Sequence, residues 1–470
     1  MFTKKYSRSL VVICLILFQC LLLNIALAKQ TMSKPAKYVF LFIGDGMGPK
    51  QVQAAEKFYG QLAFSGFGQQ GQVTTDSAQG RVTDSAAAAT AIACGGKTNN
   101  GVLGLDAQGN RLESIAELLK SKGFKIGIVS SMQLDDATPA GFYAHRSSRF
   151  LRYEIAQDLA VSNFDYFAGG GLRQPRGKDG EQHSIWQILV DSGYLIASGR
   201  QEFQALKQPQ DKVFVRSGEL YEDLSLNFAI DQRPGISLAE FTAKGIELLH
   251  NQQGFFMLVE GGKIDYAGHT NDLATNIKES GAFSEAVQVA VDFYKKHPRE
   301  TLIVVTADHE TGGLSFDSQL LDQGKFVEIV GKQNISYQEF GKLVSSYVQD
   351  GNSGDLQDWL PALKLYFGLD NLSEDEYSYL QQAAYASVKR EKYGPYEPLM
   401  IAATRTVGKR AGASWSTYGH SGVNVPIYAL GSGSDSFGEA MDNTQISAKI
   451  LAAMGVTITS HELENINNGK

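Results

Sequence analysis

Cysteine is nearly absent from this sequence, which excludes a fold that depends on several disulfide bonds for its stability. Two of the three cysteines, Cys14 and Cys20, fall in an apolar stretch at the amino terminus. If that stretch is removed, only Cys94 remains, and a single thiol cannot form an internal disulfide. An oxidising compartment would therefore contribute nothing to stability through cross-links.

Concentrated positive charge is also missing. The formal net charge is −7, and no dense Lys/Arg cluster follows residue 28. Proteins that bind nucleic acid need such clusters to contact phosphates, so we expect no nucleic-acid partner. An anionic small-molecule substrate would have to be attracted by local cations, because the overall field of the chain repels it.

The first 28 residues have the pattern of a targeting segment. Lys4, Lys5 and Arg8 precede an apolar run over residues 10–28 that ends in Ala26-Leu27-Ala28. A basic start, an apolar middle and a small-x-small end predict a cleaved secretory signal, and hence a periplasmic or extracellular protein with no stable membrane partner after cleavage. Because the run is nearly long enough to span a bilayer, an uncleaved anchor is the alternative.

Strand-like and helix-like segments alternate along the rest of the chain. Residues 38–43 are β-branched and aromatic and stop at Gly44-Asp45-Gly46, and similar runs occupy residues 125–129, 255–259 and 302–305. This alternation predicts an α/β fold with a large, mostly parallel central sheet flanked by helices on both faces. Sites in such sheets gather at the carboxyl ends of the strands, where Glu260 and Asp308 also stand.

Residues 320–416 differ from their surroundings. This stretch is polar and has helix-like pieces around residues 335–348 and 374–390. We expect an insertion that lies over the site and belongs to the same domain. Residues 29–319 and 417–470 would then form the α/β domain that carries the chemistry.

Six short segments place polar residues at predicted strand ends and turns. They are Gly44-Asp45-Gly46-Met47-Gly48, Thr83-Asp84-Ser85-Ala86-Ala87, Asp136-Ala137-Thr138-Pro139, Glu260-Gly261-Gly262-Lys263-Ile264-Asp265-Tyr266-Ala267-Gly268-His269, Thr306-Ala307-Asp308-His309-Glu310-Thr311-Gly312-Gly313 and Tyr418-Gly419-His420. An isolated aspartate after a strand is often only a helix cap. Carboxylates together with imidazoles, without a thiolate, suit zinc in an open catalytic site.

Ser85 opens an alanine-rich stretch that should be helical as far as Cys94 and end at Gly95-Gly96. A hydroxyl at a helix amino terminus lies in positive potential, beside backbone N–H groups suited to phosphate. Next to a metal it would ionise more readily, so we interpret Ser85 as a nucleophile. Two adjacent metals would clamp the attacking and leaving oxygens of an in-line displacement.

Taken in order, the six segments resemble those of the alkaline phosphatase family, from about residue 38 to residue 430. The resemblance implies the family's large α/β core with an inserted crown-like segment, usually as a homodimer. It also implies hydrolysis of phosphate monoesters to an alcohol and inorganic phosphate through a phosphoserine. The implied cofactors are two zinc ions and one magnesium ion.

The resemblance also implies the ligands of each metal. The first zinc would be held by Asp265, His269 and His420. The second would be held by Asp45, Asp308 and His309, with Ser85 joining as the nucleophile. Asp45 would also bridge to the magnesium, which Thr138 and Glu260 would hold.

Two further residues match the family's phosphate site. Arg149 corresponds to the arginine that binds phosphate in the family, and Asp84 would orient the Arg149 side chain. The sequence departs from the familiar pattern at Tyr266, where the well-known bacterial enzymes have lysine and the animal enzymes have histidine. Asp136 retains the acidic residue of the bacterial type, so the identity of the third metal is left open.

Two other functions remain to be compared with this one. A phosphodiesterase or sulfatase of the same broad superfamily is the nearer alternative, but Ser85 is followed by alanines and not by a Cys/Ser-x-Pro-x-Arg signature. Diesterases usually have a threonine nucleophile and lack the phosphate-gripping arginine. The alternative from another class is an exported zinc- or phosphate-binding protein without turnover.

Overall fold

A central sheet of ten strands organises the molecule. The computed structural model describes residues 34–207, 212–317 and 322–457, so the predicted signal over residues 1–28 lies outside the described residues. The strands are β1 (Tyr38–Ile43), β2 (Gln69–Thr74), β3 (Lys125–Ser130), β4 (Tyr166–Gly169), β5 (Leu195–Ser198), β6 (Val213–Arg216), β7 (Phe255–Glu260), β8 (Thr301–Thr306), β9 (Glu310–Thr311), β10 (Leu314–Phe316), β11 (Ala413–Trp415), β12 (His420–Ser421), β13 (Val425–Gly431) and β14 (Met441–Asp442).

Helices connect these strands. They are α1 (Pro49–Tyr59), α2 (Ser85–Cys94), α3 (Ile115–Ser121), α4 (Ala137–Ala140), α5 (Arg152–Val161), α6 (Ile185–Asp191), α7 (Gly199–Ala205), α8 (Leu238–Leu249), α9 (Lys263–His269), α10 (Leu273–Lys296), α11 (Gln323–Gly331), α12 (Tyr337–Gln349), α13 (Leu360–Phe367), α14 (Glu374–Val388), α15 (Pro398–Arg410) and α16 (Gln445–Ala453), with 3-10 turns at Ala229–Asp231, Leu356–Asp358 and Ser434–Phe437. Among the described residues, no helix is both long and apolar enough to cross a membrane.

The strand order is β14-β2-β13-β8-β1-β7-β3-β4-β6-β5, and within this sheet only β13 runs against its neighbours. The central strands β1, β7 and β8 are buried along their whole length. Strands buried on both faces need helices on each side, which accounts for their unbroken apolar sequences. The predicted fold class, a large mostly parallel sheet with flanking helices, is confirmed.

The register of the central strands brings their carboxyl ends level. Ile43 at the end of β1 pairs with Glu260 of β7 on one side and with Thr306 of β8 on the other. Ser130 at the end of β3 also pairs with Glu260. The polar segments that follow these strands are therefore delivered to one edge of the sheet.

Helix α2 begins and ends where the sequence predicts. The Asp84 side chain caps it by accepting a hydrogen bond from the Ala87 backbone N–H at 3.0 Å, and Gly95 ends it in the left-handed conformation with φ 71°. All ten residues of the helix are buried. A Cβ added at Gly141, just after α4, would lie 2.7 Å from the Ala89 Cβ, so small residues let the two helices approach closely.

Helices α11 to α15 lie in the stretch that the sequence sets apart. The helix-like pieces expected there are present as α12 and α14. Several of these helices bury a core of their own, which includes Phe340, Leu363 and Leu380. That residues 320–416 form an insertion within the same domain stays a prediction.

Candidate active site

Ser85 contacts one member of a group of three residues predicted to hold a metal. Its Oγ is 3.2 Å from His309 Nε2. His309 Nε2 is in turn 3.4 Å from Asp45 Oδ1 and 3.3 Å from Asp308 Oδ2. One ligand atom from each of Asp45, Asp308 and His309 lies within 4.8 Å of the others, so these side chains can hold a single cation.

A second group is centred on Asp265. Its Oδ2 is 3.2 Å from His269 Nε2, one helical turn along α9, and its Oδ1 is 3.7 Å from His420 Nε2. The Nε2 atoms of His269 and His420 are 3.2 Å apart. Backbone carbonyls orient both rings, because His269 Nδ1 meets Tyr418 O at 2.5 Å and His420 Nδ1 meets Thr83 O at 2.9 Å. These Nδ1 contacts leave both Nε2 atoms to face a metal.

The two groups adjoin each other. The rings of His309 and His420 are stacked, with centroids 3.6 Å apart. The Thr311 hydroxyl donates a hydrogen bond to Asp265 Oδ1 and also contacts His309 Nδ1 at 3.2 Å. One threonine thus links a predicted ligand of the first metal with one of the second.

The residues predicted for a third metal lie next to Asp45. The Thr138 hydroxyl donates to Asp45 Oδ2 at 3.3 Å, and the Glu260 carboxylate accepts a hydrogen bond from Ser130 Oγ. Glu260 is near enough to Asp45 for its charge to help raise the Asp45 pKa. Thr138, Glu260 and Asp45 are therefore neighbours, and their role in holding a metal stays a prediction.

Burial and neighbouring carboxylates raise the pKa values of three of these carboxyl groups. Burial raises the pKa of Asp45 well above its ordinary value, and repulsion from the Asp308 carboxylate is the second largest cause of the shift. Burial also raises the pKa of Asp308 to about 7 and that of Glu260 to about 8. Bound cations would reverse these shifts, because they favour the ionised carboxylates.

Unsatisfied atoms give an independent test of whether metals fit. Asp45 Oδ1 and Asp308 Oδ2 are buried without a hydrogen-bond donor. Buried acceptors in such a state are costly unless something else satisfies them, and both atoms face the His309 ring nitrogen. The donor set, made of carboxylate oxygens and imidazole nitrogens, fits divalent metal ions.

Arg149 reaches the site from the segment after α4. Its Nη1 donates to Asp84 Oδ2 at 3.1 Å and its Nη2 donates to Asp136 Oδ1 at 3.3 Å. Asp84 directly precedes Ser85, so this ion pair holds the guanidinium near the start of α2. Burial by itself would raise the pKa of Asp136. The Arg152 and Arg149 guanidinium groups outweigh this effect and hold that pKa well below its usual range.

Sequence reasoning gave no role to three residues that support the site. Thr311 bridges the two ligand groups, Ser130 bonds to Glu260, and Arg152 donates to Asp136 Oδ1 at 2.9 Å. Thr311 lies inside one of the six polar segments, and that position was the only feature of the sequence that could have pointed to it. Ser130 and Arg152 carry no local signal, because their contacts depend on how distant segments pack.

The fold and the site together define an α/β protein with a candidate metal centre at the carboxyl edge of its sheet. Residues 36–456 match the alkaline phosphatase family. The chain belongs to that family and is a phosphatase.

Relatives and solved structures agree with this assignment. Alkaline phosphatase 3 of Bacillus subtilis (strain 168) is 32% identical over 442 residues, which cover 90% of each chain. The cold-active alkaline phosphatase of a Shewanella species is 30% identical, with a TM-score of 0.76 over 89% of this chain and 99% of that one. The Thermus thermophilus alkaline phosphatase, at 22% identity and a TM-score of 0.77 over 94% of this chain and 98% of that one, supports the fold alone.

Proposed function

We propose that this chain hydrolyses phosphate monoesters to an alcohol and inorganic phosphate through a phosphorylated Ser85. The observation that carries the proposal is the position of the Ser85 hydroxyl, 3.2 Å from His309 Nε2 and thus against the group formed by Asp45, Asp308 and His309. Family membership supports the reaction class. The roles of individual residues rest on this geometry and on the motifs.

The family motifs imply three metal positions, and the residues of each set are neighbours in the structure. Zinc would be held by Asp265, His269 and His420 at the first position. Zinc would be held by Asp45, Asp308, His309 and Ser85 at the second. Magnesium would be held by Asp45, Thr138 and Glu260 at the third, and a TAB5 alkaline phosphatase variant, 28% identical with a TM-score of 0.66 over 90% of this chain and 99% of that one, has Mg bound in a site called M3. Bound there, divalent cations would lower the pKa of a coordinated hydroxyl or water and neutralise charge on the phosphoryl oxygens.

The chain's own residues account for the first half of the reaction. Ser85 Oγ gives up its proton and forms the new bond to phosphorus while the ester P–O bond opposite it breaks. The electron pair leaves with the alcohol oxygen, which takes up a proton. Arg149, held by Asp84, binds two non-bridging oxygens through its planar fork. Because His309 Nε2 belongs to the second ligand group, we assign the activation of Ser85 to that group and not to a histidine acting as a base.

In the second half, water attacks the phosphoserine and the Ser85 oxygen leaves. Arg149 keeps the phosphoryl group oriented through both halves, since the same oxygens face it. The products are inorganic phosphate and a free Ser85, which can react again.

An assay of the purified mature chain tests this function. We expect hydrolysis of p-nitrophenyl phosphate that is lost on chelation and restored by zinc with magnesium. A matched assay with bis(p-nitrophenyl) phosphate should release p-nitrophenol much more slowly, because Arg149 would face an esterified oxygen where a monoester has a charged one. Faster turnover of the diester would favour a phosphodiesterase, and metal binding with no turnover of either ester would favour a binding protein.

We also propose export and self-association. Cleavage after residue 28 would release the chain into the periplasm or the extracellular space, where it would act as a homodimer, as the family resemblance implies. Amino-terminal sequencing of the exported protein and its mass in solution test these two points. A retained amino terminus would indicate the anchor, and a monomer mass would contradict the dimer.

A further inference from the structure

Arg173 is held firmly at the same edge of the sheet as the candidate site. It follows β4 after Gly170, Gly171 and Leu172. The glycine backbone packs against the segment that leads to Asp136, where Gly170 N donates to Met132 O at 2.9 Å. A Cβ at Gly170 would lie 2.3 Å from Leu224 O, so only glycine permits this approach. The Arg173 N–H then donates to Asp135 Oδ2 at 2.9 Å, which fixes where its side chain begins.

The guanidinium of Arg173 remains available to a ligand. Its residue is exposed, and Nη2 donates to the Tyr266 hydroxyl at 3.3 Å. In the part of the chain that the structure describes, its other guanidinium N–H groups make no hydrogen bond to the protein. Arg149 and Arg152, by contrast, are already bonded to carboxylates. Since Asp136 has two such partners, Arg173 is not needed to neutralise it.

Tyr266 places this guanidinium on the side of the first ligand group. It lies on α9 between Asp265 and His269, which belong to the first ligand group and not to the group that contacts Ser85. Arg149 is beside Ser85 and takes the phosphoryl oxygens. In an in-line displacement the alcohol departs on the side of phosphorus opposite the nucleophile, so the contact with Tyr266 would bring Arg173 near the alcohol part of the ester.

We propose that Arg173 is a specificity-determining residue that binds a second anionic group on the alcohol part of the substrate. The substrate class is a phosphate monoester with a carboxylate or further phosphate close to the ester oxygen. A guanidinium is suited to both groups because its donors form a planar fork. The inference rests on the proposed function, since it concerns the substrate of that same site.

Two closely matched esters test the proposal. 2-Phosphoglycolate carries a carboxylate where 2-hydroxyethyl phosphate carries a neutral hydroxymethyl group. The measured quantity is the ratio of kcat/KM for the first ester to that for the second. We expect Arg173→Gln to lower this ratio by about fivefold, the size of a partly exposed ion pair, chiefly through KM for the anionic ester. Arg173→Lys should retain part of the ratio.

Arg176→Gln is the control, because it removes an equal charge from an exposed residue of the same loop. It should leave the ratio unchanged, which separates local binding from a general field effect. The wild-type ratio should also fall between about 0.02 M and about 0.5 M NaCl, because salt screens the contact.

An unchanged ratio in Arg173→Gln, or an equal loss with both esters, would overturn the assignment of Arg173 while leaving the phosphatase function intact. If the wild-type chain hydrolysed neither ester, the proposed function would fail and the substrate inference with it. The two failures are thus distinguishable in one set of measurements.

Discussion

Ser85 and His309 meet at the carboxyl edge of the sheet, with Oγ 3.2 Å from Nε2, although 224 positions separate them in the chain. Ser85 is placed by the start of a buried helix, and His309 by the turn after β8. Both side chains are almost wholly buried. The hydroxyl is therefore fixed against a group of carboxylates and imidazoles before any substrate arrives, as electrostatic preorganisation requires.

Arg149 should be essential for phosphate binding. Its replacement by alanine removes charge-assisted hydrogen bonds and leaves Asp84 and Asp136 with less compensation. We expect kcat/KM for p-nitrophenyl phosphate to fall by roughly 10- to 100-fold, the range for losing such bonds. Arg149→Lys should recover only part of this, because an ammonium cannot bind two oxygens as a fork.

Inhibition by inorganic phosphate measures the same role of Arg149 in phosphate binding. It should weaken in Arg149→Ala and remain normal in Arg176→Ala, an exposed arginine away from the Asp84 pair. Wild-type phosphate affinity in Arg149→Ala would contradict the role.

Thr311 should strengthen metal binding although it is not itself a predicted ligand. Its hydroxyl bonds to Asp265 and contacts His309, so Thr311→Val would leave both ligands less well oriented. Loss of such an outer partner typically lowers metal affinity by about 10- to 100-fold. Titration of the metal-free protein with zinc against a chelating dye measures this affinity.

Thr311→Ser is the control for this prediction, because it keeps the hydroxyl and removes only a methyl group. It should restore most of the affinity. If valine and serine lowered zinc affinity equally, packing of the methyl group and not hydrogen bonding would explain the loss.

Asp272 should make the stability of the protein fall as pH rises. A salt-bridged aspartate, whose pKa is lowered, has the opposite effect. It caps α10 and accepts hydrogen bonds from the Tyr337 backbone and Gln333 side chain, yet burial raises its pKa from 3.8 to about 6. The unfolded chain therefore loses this proton first, and the free energy of unfolding declines between about pH 4 and pH 6.

Comparison with Asp272→Asn isolates this effect, since asparagine does not titrate. The free energy of unfolding of the variant minus that of the wild type should rise over this pH range by on the order of 3 kcal/mol at most. Denaturant unfolding of the metal-free forms at several pH values measures it. A difference that stays constant with pH would show that the Asp272 carboxyl is not shifted.

Some of the site was predictable because its residues follow recognisable strands. Asp45 and Asp308 each stand two residues after the end of a buried strand, and parallel strands of equal register bring such residues together. The helix that begins at Ser85 was likewise visible in its alanine content and terminal glycines, whereas its Asp84 cap appears only in the structure. The convergence of His420 with Asp265 needed the resemblance, because no local pattern relates them.

Other features depend on packing that no local pattern records. Strand β2 is polar and mostly accessible, so its place beside β13 is not evident from its sequence. Arg152 and Arg173 are ordinary cations in the sequence. The structure places one in a buried ion pair with Asp136 and the other at the rim beside Tyr266.

The phosphoryl group on Ser85 tests the central claim most directly. Acid quenching during turnover of a phosphate monoester, followed by peptide mass spectrometry, should find one phosphoryl group on the peptide that contains Ser85. The same peptide from Ser85→Ala should carry none, and that variant should lose nearly all turnover while it retains bound zinc. Undiminished turnover in Ser85→Ala, or a phosphoryl group on a different residue, would contradict the account.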